Sequence, residues 1–300
     1  MKILFTGLPY FGKKLVAELK EFDKENSYYF FDTYYSKIDK VKFLFHLITA
    51  HKVVSVNGVS SKSGSLDWVV QLRKKIILQW QGSDVLTAKN NSKGRGLNRK
   101  YIDYGISFTD APWLKDELSA LNISADILHF KHVQHSNNLS PFTTNDAVSY
   151  LAEGKEKFYG IDHLIKLASD FPSIKFHIIG SKGEGFIVPE NLIFYGWISK
   201  ERVNQLLNEH PIFIRLTEHD GYSLSVMEAI ANGNYVLWNQ LHECVQYVAD
   251  MKELVSGFAK LIELVNSSGN ARNLRNIEWA KTNLNKEKIL TEYITKITTI

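Results

Sequence analysis

A single cysteine, Cys244, excludes an internal disulfide and every metal site assembled from several cysteines, and it fits a reducing compartment. Long apolar runs are missing too. The longest, Phe43 to Ile48 and Val53 to Val56, are separated by His51 and Lys52 and fall far short of the roughly 20 residues that span a bilayer. The start, MKILFTG, lacks the extended apolar stretch and small-residue cleavage site of a secretory leader, so it reads as a buried strand closed by a glycine turn. The expectation is a cytoplasmic protein. Neither sign of charge dominates: 36 Lys and Arg against 32 Asp and Glu leave a net +4, too mild to indicate a nucleic-acid partner. The surplus gathers at Lys89, Lys93, Arg95, Arg99 and Lys100. That loop reads either as a patch for phosphates or an anionic membrane surface, hence peripheral membrane association, or as an ordinary solvated loop. No D-x-D pair of the kind that holds a divalent ion occurs. His129, His132 and His135 recur every third residue, but they run from a strand into a linker without carboxylate partners, so no metal site is expected there.

What is present is 300 residues, 44% hydrophobic and 23% charged, enough for two domains with cores of their own. Strand-like runs alternate with amphipathic stretches at Lys2 to Thr6, Lys13 to Lys20, Tyr28 to Phe31, Val41 to Ala50, Val53 to Val56, Trp68 to Arg73 and Lys75 to Gln79. Further strands are expected at Tyr104 to Phe108 and Ile127 to His129. Such alternation predicts an α/β fold, a parallel sheet covered on both faces. The polar run QHSNNLSPFTTND, ahead of Ala147, gives the clearest linker signal and sets the domain boundary at 138/139. The second half repeats the alternation from Val148 to Trp238, and Val255 to Ile300 reads as wholly helical. The expected organisation is a first domain over 1–138, a second over 139–282, and a terminal helix over 283–300 that packs back onto the first. Two doubly wound Rossmann-like domains of this kind would face each other across a cleft at the carboxyl ends of their strands, where open parallel sheets bind ligands.

The most informative stretch is IFIRLTEHDGYSLSVMEAIANGNYVLW, Ile212 to Trp238. A buried strand, Ile212 to Leu216, runs into a polar turn in which Gly221 has conformations closed to other residues. A helix follows, capped by Ser223 and striped with Leu224, Met227, Ile230 and Ala231, and stopped by Asn232 and a left-handed Gly233. Its amide end opens beyond a parallel strand, which suits a diphosphate. Glu228 lies close to the apolar stripe, so its carboxylate requires a polar partner: a ligand hydroxyl, or a neighbouring element that it caps.

Here the sequence resembles the donor-binding domain of family 4 and related retaining glycosyltransferases of the GT-B fold, whose signature is two acidic residues in the pattern E-x7-E. Asp220 and Glu228 have that separation, with the glycine turn, helix and closing Gly233 in place. The first acid departs from the pattern in being Asp220; Glu218 is the fallback. The resemblance implies that Glu228 bonds the ribose of the donor nucleotide, Asp220 bonds the transferred sugar, and the amides of Tyr222, Ser223 and Leu224 hold the diphosphate, with Gly221 among the donor-binding residues. Similar enzymes place an arginine and a lysine after the first strand of this domain. Glu153 stands where that arginine would be, so Lys155, Lys157 and Arg215 are the candidate cations, against exposed lysines and an arginine paired to Glu218. Gly196 and Trp197 resemble the place where these enzymes hold the nucleobase.

In the first half, GLPYFGKK from Gly7 to Lys14 is nearly a phosphate-binding P-loop, but Lys14 occupies the position of the magnesium-ligating Ser or Thr. A glycine turn in which Gly7 allows close approach of donor or acceptor is the better account. LQWQGSDVL places Asp84 at a strand end, either orienting the acceptor hydroxyl or acting as a base, or capping the following turn. Asn57 to Gly64 forms a further flexible loop. The resulting expectation is a transferase moving a sugar from a UDP- or GDP-linked donor to a saccharide, lipid-linked or protein acceptor, with retention, no metal and no cofactor. Its rivals are an epimerase or phosphorylase of the same fold, a catalytically silent nucleotide-sugar-binding subunit of a transferase complex, and, last, a P-loop hydrolase.

Overall fold

A computed structural model describes residues 1–94, 96–134 and 139–300, so Arg95 and His135 lie outside the described residues. The chain divides into two compact units, one of residues 1–131 with 287–300 and the other of residues 132–286. The linker expected around 138/139 falls beside residues 135–138, which are outside the described set.

In the first unit β1 (Lys2–Gly7), β2 (Ser27–Phe30), β3 (Lys52–Val56), β4 (Lys75–Trp80), β5 (Ile106–Thr109) and β6 (Ala125–Ile127) form one parallel sheet in the order β2-β1-β3-β4-β5-β6. It is flanked by α1 (Pro9–Phe22), α2 (Lys37–Ile48), α3 (Gly64–Gln71), α4 (Ser83–Lys93), α5 (Lys100–Tyr104) and α6 (Pro112–Ala120). The central strands are buried on both faces: all five residues of β3 are buried, as in a strand covered from both sides. Pro9 opens α1, where its missing N–H is not needed. The short α5 takes Tyr104, so β5 begins later than its hydrophobic run suggests.

The second unit has its own six-stranded parallel sheet: β7 (Ala147–Tyr150), β8 (Phe176–Ile179), β9 (Leu192–Phe194), β10 (Ile212–Arg215), β11 (Tyr235–Trp238) and β12 (Val245–Tyr247) in the order β12-β11-β10-β7-β8-β9. Its helices are α7 (Ile161–Asp170), α8 (Lys200–Glu209), α9 (Leu224–Ala231), α10 (Met251–Ser267) and α11 (Leu274–Asn283). The tail is helical but interrupted: α10 and α11 are followed by a separate α12 (Lys286–Thr299). Leu290, Tyr293 and Ile297 of α12 enter the core of the first unit with Ile3, Phe5 and Val54. Buried Lys52 donates to the carbonyls of Ile297 and Thr298 at 2.9 and 2.7 Å, placing a cation at the negative end of α12. Both sheets are doubly wound. Chain direction along the sheet reverses beside β1 in the first unit and between β7 and β10 in the second, and such switch points are where open α/β sheets hold ligands. Among the described residues no helix is long and apolar enough to cross a membrane.

Candidate functional site

At the switch point of the second unit β7 and β10 run side by side, Ile212 opposite Ala147 and Ile214 opposite Ser149, with the Ser149 hydroxyl donating to the Ile214 carbonyl at 2.9 Å. Their carboxyl ends lead into two loops, 151–160 and 216–223, which interlock. Glu218 N–H donates to the Phe158 carbonyl at 2.9 Å. Gly160, at φ +86°, lies so close to β10 that a Cβ there would be 2.1 Å from the Leu216 carbonyl oxygen. The first loop is also tied to the one after β8: the buried Glu156 carboxylate accepts from Ser181 Oγ at 2.7 Å and Gly154 N–H at 3.0 Å, and Glu153 accepts from Lys182 N–H at 2.8 Å. Burial opposes the Glu156 charge, but these donors outweigh it and hold the carboxyl below its ordinary pKa.

Arg215, the last residue of β10, points beneath this junction. Its guanidinium lies 4.8 Å from the Tyr159 ring centre and grips Asp220 with two bonds, Nε to Oδ2 at 2.8 Å and Nη2 to Oδ1 at 3.1 Å. Burial works against the guanidinium charge; the Asp220 carboxylate more than offsets it and holds the Arg215 pKa above its ordinary value. The arginine is therefore paired with Asp220, whereas Glu218, the alternative partner, is exposed. As a cation for a diphosphate Arg215 is already engaged; its direct effect here is to fix the orientation of Asp220. Lys155 and Lys157 stand exposed on the first loop.

Helix α9 begins at Leu224 with Ser223 as its N-cap residue, but the Ser223 side chain does not take up a first-turn amide and lies instead 3.1 Å from Ser225 Oγ. Val226, Met227, Ala229, Ile230 and Ala231 are buried while Leu224 is half-exposed, so the buried face is turned slightly from the stripe read in the sequence. Gly233 is left-handed at φ +78° as expected; Gly221 is not among the glycines at positive φ, so its place in the turn does not rest on a left-handed conformation. Tyr222 and Ser223 are buried at the turn. Glu228, one turn into α9, meets Lys200 Nζ at 2.6 Å, a partner from the start of α8 that the sequence pattern did not indicate. Ahead of α8, Gly196 at φ +65° donates its N–H to the Ser181 carbonyl, and its own carbonyl accepts from the Gly180 N–H. The adjacent Trp197 is 84% exposed and presents an indole face.

The two candidates in the first unit are structural in their observed contacts. A Cβ on Gly7, at φ +103°, would lie 2.9 Å from the Val56 carbonyl carbon, so this glycine is demanded by β3. The buried Asp84 carboxylate accepts the amides of Gly58, Gln81, Gly82 and Val85, bracing the loops after β3 and β4 against each other. Burial pushes its carboxyl up against those four donors. Of the two readings of Asp84, these contacts are those of the residue that caps the following turn: its oxygens accept from backbone amides. The basic loop is also largely neutralised, with Lys89 on Glu117, Arg99 on Asp103 and Lys100 on Asp67.

One group of three ligand-type side chains stands together among the described residues: Asp146, His177 and His210, with ligand atoms within 4.8 Å of one another. It lies at the amino-terminal side of the sheet, away from the loops just described, since Asp146 precedes β7 and His210 precedes β10. The imidazoles are stacked 4.0 Å apart with an interplanar angle of 9°, so their lone pairs run side by side instead of converging.

No protein-family model matches the chain, and no curated protein matches it in sequence. Solved structures do. The pneumococcal O-GlcNAc transferase GtfA, in complex with UDP and GlcNAc, superposes with a TM-score of 0.61 at 12% identity over 86% of this chain, which spans 59% of that one. The lipopolysaccharide outer core galactosyltransferase WaaB gives 0.64 at 15% identity, covering 100% of this chain and 99% of its own. Sucrose-phosphate synthase from Thermosynechococcus elongatus gives 0.70 at 11%, covering 100% and 98%. With two doubly wound six-stranded parallel sheets and these likenesses over its whole length, the chain has the GT-B fold of two Rossmann-like units.

Proposed function

We propose that this chain is a glycosyltransferase that moves a sugar from a nucleoside-diphosphate donor, UDP- or GDP-linked, to an acceptor hydroxyl, with retention and without a metal ion. The observation that carries the reading is the gathering of an acidic pair and a helix amide end at the β7/β10 switch point, on a fold shared with sugar transferases. In this scheme the diphosphate lies against the amides at the start of α9, with Lys155 and Lys157 supplying positive charge from the facing loop. Fixed N–H dipoles and cations favour the leaving diphosphate most in the transition state, where its charge grows, and so lower the barrier instead of merely tightening binding. Asp220, oriented by Arg215, accepts from hydroxyls of the transferred sugar. Glu228 exchanges Lys200 for the ribose hydroxyls, a pair of donors that an ionised carboxylate suits. Retention and metal independence follow from the E-x7-E resemblance.

The test is thermal unfolding of the intact chain with UDP, GDP or ADP in the presence of a chelator, followed by assay of diphosphate release from the matching sugar nucleotide with and without saccharide acceptors. One nucleotide should raise the melting temperature through preferential binding to the native state, and release should require acceptor. Failure of every nucleotide to stabilise the chain would overturn the reading. Stabilisation with no turnover would make the chain a binding subunit, and turnover of donor alone would point to an epimerase.

A further inference from the structure

The outer surface of α2 is apolar where a helix on a soluble domain is ordinarily polar. Ile38, Val41, Phe45 and Ile48 follow one another at spacings of three, four and three, which places them on one side of the helix. The opposite side supplies Phe43 and Leu47 to the core. All four outward residues are more than half exposed, Ile38 at 68% and Phe45 at 70%. Tyr34 and Tyr35 just before the helix are 61% and 81% exposed, and Trp68 on α3 adds a further open aromatic. Contiguous apolar patches of this kind mark interaction surfaces.

The charge around the stripe identifies what covers it. Residues 27–75 hold eight Lys and Arg against three Asp, and of the eight only Lys52 is buried, so this segment is a second concentration of positive charge. All three aspartates are engaged: Asp32 accepts the amides of Tyr34 and Tyr35, Asp39 accepts the amide of Asp32, and Asp67 pairs with Lys100. Lys37, Lys40, Lys42 and Lys62 are exposed. A cavity of about 460 Å³ opens beside the stripe, lined by Tyr34, Lys40, Leu44, Lys62, Ser63 and Trp68 among others, and offers two ammonium groups and hydroxyls to a phosphate. A second copy of the chain placed face to face would set lysines against lysines.

We propose that α2, with Tyr34, Tyr35 and Trp68, docks this protein on the surface of an anionic lipid bilayer. The helix lies in the plane of the interface, its apolar stripe among the acyl chains, its lysines at the headgroups and the aromatic rings at the boundary, where such residues concentrate. This surface shares no residue with the proposed nucleotide site and differs from the basic loop at Lys89–Lys100, where Lys89, Arg99 and Lys100 are paired.

Flotation of the intact chain with phosphatidylcholine vesicles, with and without phosphatidylglycerol, tests it. Recovery with phosphatidylglycerol should exceed that on phosphatidylcholine alone by about tenfold, since each basic residue near an anionic surface adds attraction. The variant I38S/F45S should fall to the phosphatidylcholine level, and K37Q/K40Q/K42Q should lose the preference for phosphatidylglycerol. K89Q/K93Q should float as the parent does. Circular dichroism and melting should match the parent because the altered positions are exposed; F45Q alone serves if the double variant unfolds. Equal flotation of parent and the stripe variants overturns the proposal, as does no flotation of the parent. A parent dimer in sedimentation that I38S/F45S dissolves overturns it too, because a second copy then covers the face.

Discussion

Arg215 and Asp220 meet through two parallel bonds, Nε to Oδ2 at 2.8 Å and Nη2 to Oδ1 at 3.1 Å, with both side chains buried at the end of β10. Removing one partner strands the other charge. Arg215→Met and Asp220→Leu are each expected to lower unfolding free energy by about 3–5 kcal/mol, whereas the two together should cost less than either single change. Denaturant unfolding of the three variants checks this, and additive losses would show that the pair is not coupled.

Glu228 makes the opposite case. Its partner Lys200 is half exposed, and an ion pair of that kind contributes about 0–1 kcal/mol. Glu228→Gln should leave stability nearly unchanged while weakening nucleotide affinity about tenfold, or about 1.4 kcal/mol. Titration calorimetry with the nucleotide that stabilises the parent measures it; an unaltered Kd would remove Glu228 from the ribose role.

Gly160 locks the loop after β7 onto the loop after β10. Gly160→Ala must relieve both a left-handed backbone and a Cβ 2.1 Å from the Leu216 carbonyl oxygen, so a loss of about 2–4 kcal/mol is expected. Gly154→Ala is the control: it has positive φ as well, but nothing lies within 4 Å of its Cβ, and its loss should stay near about 1 kcal/mol. Equal melting temperatures for the two variants would deny the interlock.

For Asp84 the structure predicts a folding defect instead of a catalytic one. Asp84→Ala leaves the amides of Gly58, Gln81, Gly82 and Val85 without their acceptor, at about 1–3 kcal/mol for each buried donor that water does not reach. Asp84→Asn keeps one acceptor oxygen and should fall between parent and Ala. Turnover per folded molecule of the Asn variant should match the parent, whereas loss of a general base typically removes about 10² to 10⁴ of the rate.

What the sequence made legible was local. The apolar runs Val53–Val54 in β3 and Ile212–Ile214 in β10 announce buried parallel strands, and the run from Ser223 to Gly233 contains its own start and stop, which is why α9 and the left-handed Gly233 fall where expected. Pairings across the sheet were not legible. Arg215 has Glu218 and Asp220 within five positions, and only the path of the turn selects Asp220. Glu228 and Lys200 lie 28 positions apart, and Asp84 reaches Gly58 across 26, contacts set by which strands become neighbours. Nor does anything local show that the Gly196 N–H and carbonyl bond to Ser181 and Gly180.

The stacked imidazoles at the far end of the sheet give the last prediction. Burial, and then the neighbouring His177, lower the His210 pKa from 6.5 to about 4, and the Nδ1 atom shares a 2.7 Å hydrogen bond with Thr144. In the unfolded chain His210 takes a proton near its ordinary value, so between pH 6.5 and about 4 the unfolded state binds more protons than the native one, and stability falls as pH falls. The contribution is complete above pH 6.5 and amounts to about 3 kcal/mol, lost by about pH 4. Carboxylates titrate in the lower part of the same range, so the quantity to measure is the difference between parent and His210→Gln in urea midpoints across that window. The difference should shrink steadily as pH falls; a difference that is flat, or grows toward acid, would mean that His210 is charged in the folded protein.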